Sequence, residues 1–133
     1  MSGEYDPQEF AGLTCSPDLR LRILHSVPFF RQLSHDEVRE VNESFRERGY
    51  LPGEQVIGVG EEARRLHIVA TGNLRLQQYT PQGHNVIIDL LAPGDLFGGL
   101  PVLGADRYEE TVEAHTACCV LGVTSDDFGV ILE

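Results

Sequence analysis

Cys15, Cys118 and Cys119 are the chain's only thiols, and its histidines are His25, His35, His67, His84 and His115. Thiolates and imidazoles hold soft or borderline metals, and thiols also exchange electrons. Cys118 and Cys119 are neighbours in an apolar stretch that reads as a strand, where successive side chains face opposite ways. One of them is expected in the core. No bond between them is expected, because a disulfide needs Cβ vectors that converge. Cys15 stands ahead of the first helix and could reach whichever of the two faces outward. That pair would be the working pair of a thiol switch, with the preceding arm becoming ordered on oxidation. Three thiolates would suit a soft ion, or zinc with one His. An iron–sulfur cluster wants four ligands, so a His or a second chain would have to contribute. No two histidines have the close spacing of a strand-borne metal site. No nucleophile elbow, phosphate loop or zinc-protease motif occurs. Glu61-Glu62 and Glu109-Glu110 lie in turn-like stretches and read as solvated charge. Enzymatic activity is therefore not expected.

The elements that must position these groups change character along the chain. Met1 to Thr14 has no periodicity and reads as part of a loose arm over 1–15. Ser16-Pro17 is a helix start, with a hydroxyl cap followed by Pro at the first helical position. Leu19, Ile23, Leu24 and Val27 share one helical face. Pro28 stops that helix, and Phe29-Phe30 add an apolar plug. Ser34-His35-Asp36-Glu37 is a capping box. Val38, Val41 and Phe45 follow at helical spacing, with Gly49 expected to end the helix. From Tyr50 the pattern is β. Strands are expected at Gln55–Val59, Leu66–Thr71, Leu74–Tyr79, Val86–Leu91, Thr111–Ala114 and Cys118–Val123. Leu74 and Leu76 should share one face, with Arg75 and Gln77 on the other. Pro81-Gln82-Gly83-His84 reads as a hairpin turn. Short strands punctuated by Gly and Pro mean a sandwich or barrel. Ser125-Asp126-Asp127 caps a final apolar stretch, Phe128 to Leu132, that begins a helix. That start suggests a chain shortened from something longer.

Composition narrows the function. At 133 residues one domain is expected, over 16–133, since domains usually run about 100–200 residues. No apolar run approaches the roughly 18–20 residues of a membrane span, and the N-terminus is too polar for a signal peptide. All ten basic residues are Arg, and 21 acidic ones leave a net charge of −11. That balance argues against clamping a phosphate backbone, which needs a basic footprint. The few cysteines make no disulfide framework, so reducing cytoplasm is the expected compartment.

Four ordered segments carry a resemblance. They are Leu51-Pro52-Gly53-Glu54, Gly60-Glu61-Glu62-Ala63, Leu66-His67-Ile68-Val69-Ala70-Thr71-Gly72 and Pro93-Gly94-Asp95-Leu96-Phe97-Gly98. With Val27-Pro28-Phe29-Phe30-Arg31-Gln32-Leu33-Ser34 ahead of them, the chain over about 19–132 resembles the cyclic nucleotide-binding domain of the transcription regulators typified by the cyclic-AMP receptor protein and the anaerobic fumarate–nitrate regulator. The resemblance implies a mainly β fold with flanking helices, a jelly-roll-like double-stranded β-roll of about eight strands. It implies an effector-sensing regulatory domain for a small-molecule or redox signal. DNA would be reached only through a C-terminal helix-turn-helix that these residues do not contain. The full-length form would be a homodimer joined along the helix that starts near Phe128, and residues 1–133 alone would be monomeric or weakly paired.

In relatives that bind cyclic AMP, a Glu soon after the Phe-Gly pair holds the ribose. Helix-turn amides and an Arg about ten residues later hold the phosphate. Here the Glu place is Gly99 and the Arg place is Tyr108, with Arg107 one residue off and so on the opposite face of a strand. Cyclic AMP and cyclic GMP are therefore not expected as tight ligands. Gly98, Gly99, Leu100, Arg107, Tyr108 and Thr111 remain the candidate cradle for a small anion or polar metabolite. The bland alternative is that Gly98-Gly99 is a tight corner and Tyr108 packs against the roll. The anaerobic branch holds an iron–sulfur cluster on an N-terminal Cys cluster and a strand Cys. The corresponding thiols here, Cys15, Cys118 and Cys119, are fewer and displaced. The third reading is a degenerate roll that only mediates protein contacts.

Overall fold

The computed structural model describes residues 13–99, 107–124 and 126–127. The expected Phe128–Leu132 helix, Leu100 of the candidate cradle and most of the N-terminal arm lie outside them. Two helices lead: α1 (Pro17–Ser26) and α2 (His35–Glu43), with a 3-10 turn at Pro28–Phe30 between them. Ser16 caps α1 by accepting from Leu19 N–H at 3.1 Å. At α2 both halves of the capping box form: Ser34 Oγ accepts from Glu37 N–H, and Glu37 Oε1 from Ser34 N–H. The Phe pair divides, with Phe30 buried and Phe29 half exposed, so only one of them is a plug.

Gly49 does not end α2. The helix closes at Glu43, and a strand that the sequence pattern hides, β1 (Arg46–Tyr50), starts at once. Its Arg-Glu-Arg-Gly run shows no apolar alternation because it is a sheet edge, paired among the described residues only with β8. The rest are β2 (Gln55–Ile57), β3 (Arg65–Thr71), β4 (Leu74–Tyr79), β5 (Asn85–Leu91), β6 (Leu96–Gly98), β7 (Thr111–Ala114) and β8 (Cys118–Thr124). They form two four-stranded antiparallel sheets, ordered β1-β8-β3-β6 and β2-β7-β4-β5. The expected β-roll with flanking helices is the fold observed.

The first sheet is covered on both faces. Outside it, Leu24, Val38 and Phe45 pack on Ile68, Cys119 and Leu121. Inside the roll, Val69, Cys118 and Val120 meet Leu74, Val112 and Ala114 of the second sheet. That is why β8 is a continuous apolar run rather than an alternating one. Arg20 locks the helical layer: its Nε donates to Asn42 Oδ1 and its Nη2 to Phe45 O, each at 2.8 Å, serving the carbonyl end of α2. In β4 the register shifts between Leu76 and Gln77. The extra residue, Ile88, lies in β5, and Gln77 keeps the face it shares with Arg75, opposite Leu74 and Leu76 as expected, where it is buried with its Oε1 accepting from Asn85.

Candidate functional site

The corner after β6 is the place where the resemblance puts the cradle. Gly98 has φ +85°, and a Cβ there would stand 2.8 Å from Arg65 O, 3.2 Å from His67 Nδ1 and 3.3 Å from Tyr108 Cε1. Only glycine meets both demands, the backbone angle and the lack of room. The Tyr108 ring is buried, and its hydroxyl closes a two-way link to the start of β3. It accepts from Arg65 N–H at 3.1 Å and donates to Arg65 O at 3.2 Å. Backbone pairing fixes the same segment to the turn after β2: Tyr108 N–H donates to Glu61 O and Gly60 N–H to Tyr108 O, each at 2.9 Å.

The other candidates divide around this corner. Arg107 is exposed and turns away, its Nη1 donating to Gly60 O at 2.8 Å, as the one-residue offset implied. Thr111 is buried, its Oγ1 accepting from Val59 N–H at 3.2 Å. Gly99 is buried beside the corner. The Tyr108 and Thr111 hydroxyls are thus engaged with backbone.

Tyr108 also lines a cleft of about 720 Å³, together with Arg48, Tyr50, Ile57, Glu61, Glu62, Arg64, Arg65 and His67 among others. Arg48 lies over the Tyr50 ring at 5.1 Å, and Arg64 pairs with Glu62 at 2.7 Å, holding that carboxyl below its ordinary pKa. His67 stacks on Phe97, ring centroids 4.8 Å apart, and its buried Nδ1 has no hydrogen-bond partner. Burial, aided by the Arg65 charge, pushes its pKa down to about 4, so the ring is neutral at pH 7. The cleft residues of β1 and β3 escaped the sequence reading. Their signal was the alternation Arg48, Tyr50 on one strand and Arg65, His67 on the other, visible only once β1 is recognised as a strand.

The thiols separate into a pair and a singleton. Cys15 and Cys119 are joined as a disulfide with Cα atoms 6.4 Å apart, and Cys118 is free inside the roll. Burial and, secondarily, Glu54 raise the Cys118 thiol to about 11. The two neighbours do face opposite ways. The expected exposed partner is nonetheless fully buried: Cys119 faces out of the roll, into the apolar layer under the helices. The set of three thiols is therefore corrected to two, joined by a carboxylate. Cys15, Cys119 and Glu47 bring their ligand atoms within 4.8 Å of one another. Among the described residues that donor set does not fit an iron–sulfur cluster, which needs four thiolates or imidazoles.

An antiparallel roll with a helical layer on one sheet and a Gly-Gly corner facing its interior defines a ligand-cradle module. The model of the cyclic nucleotide-binding domain matches residues 47–133, and the chain belongs to that family. It is 33% identical over 96 residues to the cAMP-dependent protein kinase regulatory subunit of Mycosarcoma maydis, covering 72% of this chain and 18% of that one. It is likewise 33% identical over 101 residues to the cyclic AMP receptor protein of Thermus thermophilus, covering 76% of this chain and 47% of that one. Among solved structures, a putative cyclic nucleotide binding protein from Ruegeria pomeroyi superposes with a TM-score of 0.76 at 24% identity, covering 89% of this chain and 52% of that one. The chain thus spans less than half the length of either curated relative. Among the described residues no helix is long and apolar enough to cross a membrane.

Proposed function

We propose that the chain is the effector-sensing part of a transcription regulator like the cyclic AMP receptor protein, and that its effector is not a 3′,5′-cyclic nucleotide. Tyr108 carries this reading. The resemblance puts a phosphate-binding guanidinium at this position, but the residue here is a buried phenol whose hydroxyl is already used on both sides by Arg65. A cyclic phosphate entering beside it would meet a phenol where the resemblance puts its countercharge. Gly99 likewise offers no carboxylate to a ribose. The cationic groups in the cleft that Tyr108 lines are instead on β1 and β3, where Arg48 and Arg65 border the neutral His67. A small anionic metabolite is the chemistry that cleft favours. In this reading residues 16–133 form the sensor and the whole protein dimerises and reads DNA through parts beyond them. It works in the cytoplasm. A thermal-shift comparison tests the effector class. Millimolar cyclic AMP or cyclic GMP should leave the midpoint unchanged, while small di- and tricarboxylates should include at least one that raises it. A clear upward shift with either cyclic nucleotide would refute the reading.

A further inference from the structure

The corner where α1 begins is built to receive the segment ahead of it. Three independent contacts hold that segment on the first sheet. The backbone of Leu13 lies so close over Gly49 of β1 that a side chain there would collide with the Leu13 carbonyl. Cys15 N–H donates to Glu47 Oε2 at 3.1 Å, and Arg20 Nη1 steadies the other carboxylate oxygen at 3.5 Å. The third contact is covalent, from Cys15 to Cys119 on β8. The two residues differ in access: Cys119 is fully buried in the apolar layer, whereas Cys15 is only partly covered.

We propose that Cys15–Cys119 is a thiol–disulfide exchange site for low-molecular-weight thiols, and that its state decides whether the segment before α1 is docked on β1 and β8. This does not rest on the effector reading above. Opening starts at the accessible sulfur. A small thiolate attacks Cys15 Sγ, the bond to Cys119 breaks, and Cys119 leaves as a thiolate that takes up a proton. A second small thiolate attacks the outer sulfur of the mixed disulfide, releasing Cys15 and the small-molecule disulfide. Two electrons and two protons pass to the protein, and two small thiols are oxidised. Both end states suit the fold. The reduced Cys119 is a small apolar residue in an apolar layer. The third thiol does not interfere: Cys118 faces the roll interior and its raised pKa leaves little thiolate.

The test equilibrates the intact chain in glutathione mixtures of rising reducing strength. Free thiols are then counted by alkylation and mass spectrometry, with backbone hydrogen exchange read in parallel. The expected result is one reversible step that opens the Cys15–Cys119 bond, with Cys15 labelled in the folded chain and the buried Cys119 and Cys118 labelled only after denaturant is added. Amide exchange at Leu13 to Cys15 should rise at least about tenfold in the reduced chain. Cys15→Ser, which leaves the buried sulfur in place, should reproduce that exchange pattern without any reductant. Three results would overturn the proposal: a bond that stays closed in the folded chain at every ratio, opening with unchanged exchange at Leu13 to Cys15, or a reduced chain that retains stoichiometric zinc on the two thiols and Glu47.

Discussion

Cys118 and Cys119 are one peptide apart, yet they belong to two regions with different rules. Outside the first sheet, helices α1 and α2 lie on an apolar layer whose polar contacts sit at its rim, around Arg20, Glu47 and Asn42. Inside the roll, apolar packing is mixed with buried polar groups at the cradle: His67 and the Tyr108 hydroxyl. The outer layer can be held by area and by a covalent tie. The interior must satisfy each polar atom singly, and His67 Nδ1 shows one that is not. The difference separates a region that sets stability from one that is shaped for a guest, since buried groups left unpaired are costly and persist at sites where something else uses them.

If that contrast is right, truncating the outer layer should cost most. Leu121→Ala removes a fully buried side chain beneath the helices and should lower stability by about 2–5 kcal/mol in denaturant unfolding. Next comes the tie itself. Cys15→Ser should cost about 2–4 kcal/mol under oxidising conditions, since the bond spans 104 residues of sequence. The cost should vanish when both proteins are compared in excess reductant, and a persistent difference would mean that packing at Cys15 matters more than the bond.

The interior should announce itself through pH. His67 has its pKa lowered from 6.5 to about 4 in the folded chain, so between those values the unfolded chain binds more protons. Stability from this group is intact above about pH 6.5 and is lost as pH falls toward 4, by up to about 3 kcal/mol. His67→Gln should flatten that part of the profile. The smallest effect sharpens the cradle: Tyr108→Phe keeps the ring but removes both links to Arg65, and should cost about 1–2 kcal/mol.

The sequence disclosed what depends on local chemistry and hid what depends on pairing. Ser16-Pro17 and the Ser34–Glu37 box mark their helices because a cap is a contact within four residues. The Gly and Pro corners mark most of the strands. β1 stayed hidden because an edge strand of Arg46, Glu47, Arg48 and Gly49 has no periodic apolar face, and its partner β8 lies some seventy residues on. The face of Gln77 was legible from alternation, but its burial was not, because that depends on Asn85 of the neighbouring β5. Counting from the Phe-Gly pair and from Thr111 singles out Gly99 and Tyr108, and the structure sets Tyr108 beside Gly98. The Cys15–Cys119 pairing was legible only as one of two choices, because which cysteine faces outward depends on which face of β8 the helices cover.

The claim that ties these observations together is that Tyr108 closes the cradle to cyclic nucleotides. Isothermal calorimetry of the intact chain with cyclic AMP puts it to the most direct test. The account predicts no saturable heat at submillimolar ligand. A saturable one-to-one isotherm in the micromolar range would contradict it, and would mean that the corner of Gly98, Gly99 and Tyr108 opens to admit the phosphate.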